Sequence, residues 1–364
     1  MNYNEIRRKT KKIAVGDIYI GGDSHIAIQS MTNTDTHDKD ATLRQVRSLV
    51  AKGCDIVRIT VPDIEAADTI VHLKNMGVTV PIVADIHFDH RVAVRCAEVG
   101  VDKIRINPGN IGSDDRVHEV VRACQAHCVP IRIGVNAGSL EKSILAKHGS
   151  PTAEALCESA QYHMSLLERF DFENIVVSIK ASDPLRMIQA NRMLSQMCDY
   201  PLHLGVTEAG SREIGSIKSA IGIGSLLCDG IGDTIRVSLT DKPEEEAQAA
   251  TNILRSLGIE GQCGMNIVSC PTCGRTKIDL ISLVQEFETA ARREKLMSLP
   301  IKVALMGCIV NGPGEAREAD IGIAGGKGEA VLIRKGEIVH KIPEDAIVAS
   351  LIEEIKLMYA DKLS

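Results

Sequence analysis

Cys270 and Cys273 in "SCPTCGRT" stand three residues apart, a spacing that can do chemistry. A C-x-x-C pair serves as a dithiol redox couple, as half of a zinc site or as half of an iron–sulfur site. A zinc ribbon needs a second C-x-x-C or a His pair, yet beyond Cys273 the sequence offers only Cys308 and a late His340. A thioredoxin-like dithiol opens a helix directly after a βαβ strand, whereas Pro271, Gly274 and Arg275 surround this pair. Cys308 lies in "MGCIVNGPGE", where Gly312, Pro313 and Gly314 are expected to turn the chain sharply. Three soft ligands leave one corner of a [4Fe–4S] cube free, and Glu315 is the acid best placed by sequence to fill it. A carboxylate on iron exchanges more readily than a thiolate, so such a site can open to a substrate oxygen. The donor set favours a cluster, with a zinc site and free thiols as the alternatives.

A second pattern is a cation between aliphatics near the end of a strand-like run. It recurs at Arg58, Arg105, Arg132, Lys180 and Arg236. In a strand the flanking aliphatics face opposite the cation, so the cations share one side. Like charges gathered there repel unless an anion sits among them. Arg forks match phosphate oxygens, which points to a phosphate-rich ligand and to a diphosphate in particular. Asn136 and Ser238 are in phase with Arg132 and Arg236. Asp85 in "ADIHF" and Glu208 in "VTEAG" are candidate proton donors or hydroxyl binders, with pairing to the cations as the structural alternative. His87 and His203 can titrate near neutrality, but a packed or hydrogen-bonded role is the plainer reading of both.

Positioning these groups requires a scaffold. After a short hairpin in "KKIAVGDIYIGG", eight strand-like runs alternate with amphipathic stretches. They fall at 27–32, 55–61, 81–86, 102–109, 130–136, 174–182, 201–210 and 233–240. Runs rich in Val and Ile, separated by helices, indicate a parallel sheet. Eight such units predict an N-terminal TIM (β/α)8 barrel over 1–258, with its active site at the carboxyl ends of the strands. An open doubly wound sheet is the alternative, but no G-x-G-x-x-G opens the first unit. Residues 259–364 read as a smaller α+β iron–sulfur unit: a helix over "KIDLISLVQEFETAARREKL", two strands, a hairpin and a closing helix from about Glu344.

Composition narrows the class. The 364 residues are 44% hydrophobic and 25% charged, as in a globular enzyme. A net charge of −6 and 2% aromatics without Trp argue against a nucleic-acid surface. The polar start "MNYNEIRRKTKK" lacks the apolar core of a secretory signal, and no run is long and apolar enough to span a membrane. Eleven cysteines, scattered mostly as singlets, fit reduced thiols in a cytoplasmic protein. Cys54, Cys96, Cys124, Cys128, Cys157, Cys198 and Cys228 read as small buried hydrophobes.

Taken together, "ADIHF", "RINPGNIG", "RIGVNAGSL", "SIKAS", "VTEAG", "CPTCGRT" and "CIVNGPGEA" resemble the bacterial 4-hydroxy-3-methylbut-2-enyl diphosphate synthases in their two-domain form. The likeness runs in order along essentially the whole chain, and the two cysteine motifs are its most specific part. The segment before Cys270 is less typical, and Cys263 has no role by this likeness. The resemblance implies reductive ring opening of 2-C-methyl-D-erythritol 2,4-cyclodiphosphate in non-mevalonate isoprenoid synthesis. It implies a [4Fe–4S] cluster on Cys270, Cys273, Cys308 and Glu315, with electrons from flavodoxin or ferredoxin. It also implies a head-to-tail homodimer in which one chain's cluster unit caps the other's barrel. Asn311 and Arg275, beside those ligands, are candidates to hydrogen-bond substrate or tune the cluster. A competing class is a phosphate-binding barrel synthase with a zinc-stapled docking tail. An S-adenosylmethionine radical barrel needs C-x3-C-x2-C, which is absent.

Overall fold

A computed structural model describes residues 3–259, 264–310 and 312–360. Cys263 and Asn311 lie outside the described residues. The chain divides into two compact units, Met1–Leu257 and Gly258–Ser364.

The first unit opens with the expected hairpin. Strands β1 (Ile13–Val15) and β2 (Ile18–Ile20) are antiparallel about Gly16, whose φ of +55° suits the tight turn. Eight parallel strands follow: β3 (Ala27–Met31), β4 (Ile56–Thr60), β5 (Ile82–Asp85), β6 (Lys103–Ile106), β7 (Ile131–Asn136), β8 (Ile175–Lys180), β9 (His203–Leu204) and β10 (Thr234–Ile235). Their order is β8-β7-β6-β5-β4-β3-β10-β9, and a Val177–Leu202 bridge joins the two ends into a barrel. All eight expected strands are present. The last two are only two residues long. Just past β9, Gly205 lies so close to Arg236 that a Cβ would stand 2.4 Å from its carbonyl oxygen. Ile13, Val15 and Ile20 of the hairpin pack on Ala27, Ile56, Val83 and Val176 near the amino ends of the strands, which plugs that end with hydrocarbon.

Four of the scattered cysteines, Cys54, Cys96, Cys124 and Cys157, are buried as expected. Cys128 and Cys228 are exposed and Cys198 is half-buried, which corrects that reading. Cys128 lies just beyond the C-cap of the helix Asp114–Ala126, in the left-handed region at φ 56°, and Cys228 is the last residue of the helix Arg212–Cys228. Both sit at element ends, where the amphipathic pattern stops specifying burial.

The second unit is a five-stranded sheet in the order β11 (Asn266–Ser269), β12 (Lys302–Met306), β13 (Ile321–Gly325), β14 (Glu329–Arg334) and β15 (Glu337–Pro343). The first three are parallel and the last two form the antiparallel hairpin. The helices Leu280–Arg293 and Ile347–Met358 bury Phe287, Leu283, Leu351 and Ile355 on one face. On the other face Ala316 packs on Ala304, Met306 and Ala324. Gly312–Arg317 is a short helix, not the sharp turn its Gly-Pro-Gly suggests. Pro fits a first helical turn because it has no N–H to leave unpaired.

Candidate functional site

Following the paired registers round the barrel sorts the inward side chains into levels, four to a level from alternate strands. Gln29, Val83, Arg132 and His203 share one level. Ile56, Lys103, Val176 and Thr234 lie below it. Arg58, Arg105, Ser178 and Arg236 lie above, capped by Met31, Asp85, Gly134 and Gly205. The two glycines make room for the cations. A Cβ on Gly134 would stand 2.5 Å from Arg105 Nε, and one on Gly205 would stand 3.0 Å from Lys180 Nζ.

Arg58, Arg105, Arg132, Lys180 and Arg236 converge on one cavity of about 180 Å³, walled also by Asp85, Asn136, Ser178 and His87. Arg105 Nη1 donates to Asp85 at 3.0 Å, and Arg58 Nε stands 3.6 Å from the other carboxylate oxygen. Arg132 Nη1 donates to Ser178 Oγ at 3.0 Å, while its Nε and Nη2 are buried without a hydrogen-bond partner among the described residues. Arg236 Nη2 donates to both oxygens of Glu246 at 3.2 and 3.1 Å. Five cations against two carboxylates leave a surplus of three positive charges.

The charges shape one another. Burial alone would raise the Asp85 carboxyl, but Arg58, Arg105 and Arg132 outweigh it and hold it at about 2. Asp85 is thus ion-paired with two of the cations, the structural alternative that stands beside its reading as a proton donor. Burial lowers Arg58 to about 10, aided by Arg236 and Arg105 and opposed by Asp85. Burial also pushes Lys180 well down, with Arg236 the largest of the neighbouring cations that add to it.

Glu208 is exposed, at φ 52°, one residue beyond Thr207 in the cavity wall. A left-handed non-glycine residue is strained, and such strain collects at functional loops. Ser238 is half-buried and its hydroxyl lacks a hydrogen-bond partner among the described residues. His87 lines the cavity, whereas His203 is buried beneath it with Nδ1 2.7 Å from Thr234 Oγ1.

Sequence reasoning missed Glu246, Lys103 and Gln29. Glu246 is buried in the helix Pro243–Ser256 on the same face as Ala250 and Ile253, and that spacing was the available signal. Lys103 precedes Arg105 by two residues on one strand face and is wholly buried.

In the second unit Cys270, Cys273, Cys308 and Glu315 line a single cavity of about 350 Å³, with Arg275 and Thr276 beside them. Cys270 and Cys308 follow the carboxyl ends of adjacent parallel strands, β11 and β12, where sheets of this kind bind ligands. The Gly307 N–H donates to Cys270 Sγ at 3.3 Å, and the Cys273 N–H donates to Thr276 Oγ1 at 3.1 Å. The Arg275 backbone N–H, then its guanidinium, lowers the Cys273 thiol and favours the thiolate that a metal binds.

Among the described residues no three His, Cys, Asp or Glu side chains are grouped to hold a single metal ion. A cubane takes each ligand at a different iron, so its donors stand apart. Three thiols and a carboxylate around one cavity, with N–H groups aimed at sulfur, fit such a cluster by chemistry and number.

Comparison with known proteins follows the same division. A family model described as the GcpE TIM-barrel domain matches residues 10–251, and one described as the GcpE protein C-terminal domain matches residues 266–357. The chain is 55% identical over 352 residues to 4-hydroxy-3-methylbut-2-en-1-yl diphosphate synthase (flavodoxin) of Clostridium perfringens, covering 96% of this chain and 99% of that one. It is 55% identical to the protein of the same name from Ruminiclostridium cellulolyticum (97% and 98% covered). It is 51% identical to that of Geobacter sulfurreducens (98% and 100% covered). Among solved structures, a type I 3-dehydroquinate dehydratase from Clostridium difficile superposes with a TM-score of 0.51 at 15% identity, covering 68% of this chain and 98% of that one. That last likeness is one of barrel fold alone.

Proposed function

The chain belongs to the GcpE family, and from that we propose that it is an oxidoreductase converting 2-C-methyl-D-erythritol 2,4-cyclodiphosphate to (E)-4-hydroxy-3-methylbut-2-enyl diphosphate in the non-mevalonate route. The C–O–P bridge opens with its oxygen kept on phosphorus, the C3 oxygen leaves as water, and two electrons balance the two C–O bonds lost against the C=C gained. The linear diphosphate carries one more negative charge than the cyclic one. The observation that carries the assignment is the cavity's surplus of three positive charges, which suits an anion whose charge grows as the ring opens.

Arg58, Arg105, Arg132, Lys180 and Arg236 bind the two phosphates, with Asn136 and Ser238 orienting the oxygens between them. Asp85 holds Arg58 and Arg105 in place and accepts from a substrate hydroxyl. Glu208, held at φ 52° one residue beyond Thr207 in the cavity wall, supplies the proton to the departing water. A [4Fe–4S] cluster on Cys270, Cys273, Cys308 and Glu315 would supply low-potential electrons and a Lewis-acidic iron. Arg275 helps keep Cys273 as thiolate, and Asn311 is the neighbouring candidate for a substrate hydrogen bond.

Flavodoxin is the electron donor, with ferredoxin as its chemical equivalent; the relatives' names support this. The active form is a head-to-tail homodimer, and the exposed stripe Ile214, Ile217 and Ile221 offers apolar surface for burial in it. The setting is the cytoplasm, in keeping with unpaired buried thiols and with no described helix long and apolar enough to cross a membrane. Metal analysis of anaerobically purified protein tests the cofactor. Brown protein with iron and sulfide is expected, and a colourless zinc protein would overturn it.

A further inference from the structure

Lys103 lies inside the barrel, wholly buried, with no hydrogen-bond partner for Nζ among the described residues. It stands one level beneath Arg132 and two beneath Arg58. What faces it from the surrounding strands is apolar, neutral polar or cationic, with no carboxylate among the inward side chains of these levels. Ile56, Val176 and Thr234 share its level, while Gln29, Val83, Arg132 and His203 lie just above. The carboxylates that face the cations of the cavity above are committed elsewhere, Asp85 to Arg105 and Arg58, Glu246 to Arg236.

A cation so placed costs several kcal/mol of solvation that nothing repays, so one of the neighbours must give up its proton. A guanidinium keeps its charge, because its intrinsic affinity for the proton is too high to lose. An amine is the group that yields. Burial, then Arg132 and Arg58, all push Lys103 well below the ordinary lysine range. His203 is pushed the same way, by burial first and then by cations including Arg132 and Lys103, so it does not take the charge instead.

We propose that Lys103 takes up a proton from solvent when a diphosphate enters the cavity above it, so that anion binding and protonation of this amine are coupled. This rests on the anion-cavity reading of the barrel. The incoming charge offsets Arg132 and Arg58, and the ammonium form of Lys103 then adds to the field holding the phosphates. Lys103 is thus a positioning residue that works through Arg132 and does not touch the ligand.

The test is calorimetric titration of the full-length protein with the cyclodiphosphate, without reductant, in buffers of different ionisation enthalpy. Both phosphates of that ring hold one charge each near neutral pH, so protons taken up belong to the protein. Wild type should take up protons and bind about tenfold more weakly for each unit of rising pH per proton. Lys103→Met and Lys103→Gln should bind with a smaller uptake and a flatter pH dependence, separating Lys103 from Lys180, which remains. Wild-type binding with no uptake overturns the proposal, and so does an uptake unchanged in whichever variant folds. Wild type that does not bind the cyclodiphosphate overturns the anion-cavity reading and this proposal with it.

Discussion

Asp85 and Arg105 are joined by a 3.0 Å ion pair on adjacent strands of the barrel, with Arg58 3.6 Å from the other oxygen. One carboxylate thus restrains two of the cations assigned to phosphate. Replacing it with Asn keeps the shape and removes the charge. Asp85→Asn should destabilise the ligand-free protein by about 3–5 kcal/mol, as broken buried pairs do, and diphosphate should restore part of the loss. Denaturant unfolding with and without the cyclodiphosphate measures both.

The same pair predicts an acid limb. The Asp85 carboxyl is held at about 2, below its ordinary value, so its stabilisation is complete above the unfolded value. It is lost as the pH falls from about 4 towards 2, and amounts to roughly 2.5 kcal/mol. Urea midpoints across that range should fall less steeply in Asp85→Asn than in wild type.

The cations should not behave alike. Arg58, Arg105, Arg132 or Lys180 replaced by Met should each weaken cyclodiphosphate binding by about 1.5–3 kcal/mol. Arg236→Met should also lower the melting temperature, because it strands buried Glu246, and Arg236→Met/Glu246→Gln should recover stability without recovering affinity. Equal melting temperatures for Arg236→Met and wild type would count against that pairing.

The barrel was legible because strand periodicity is short-range. Val-Arg-Ile triplets reveal a shared face before anything closes. What closure adds was not legible. Glu246 is the last of three consecutive glutamates; helical spacing places it on the Ala250 face, but its pairing with Arg236 arises only once the barrel closes. Gly134 and Gly205 matter because a guanidinium and an amine lie across them from neighbouring strands. Type and spacing singled out the thiols and made Glu315 the best-placed acid, and the fold brings all four round one cavity. The helix carrying Glu315 was read as a turn, since its packing on Ala304 and Ala324 is a tertiary fact.

Loss of any one thiol should cost the cluster and spare the barrel. Cys270→Ser, Cys273→Ser and Cys308→Ser are each expected to lose most iron and sulfide while far-ultraviolet dichroism stays unchanged. Glu315→Gln is expected to keep more iron than these but to lose it faster in air. A full iron complement in any of the three serine variants would show a wrong ligand set.

A head-to-tail dimer allows complementation between two inactive chains. Arg132→Met has a disabled barrel and an intact cluster unit, and Cys270→Ser the reverse. Co-expressed, they should regain roughly a quarter of wild-type activity, since half the dimers are mixed and each holds one sound pairing. Activity no higher than that of either variant alone would place both halves of the site in one chain.

Turnover is the decisive measurement. Anaerobic, cluster-loaded protein with a strong one-electron reductant should convert 2-C-methyl-D-erythritol 2,4-cyclodiphosphate to the linear (E)-4-hydroxy-3-methylbut-2-enyl diphosphate, consuming two electrons for each molecule formed. Glu208→Gln should slow this while leaving cyclodiphosphate affinity intact. An iron-replete protein that binds the cyclodiphosphate, accepts electrons and returns the ring unopened would contradict the account.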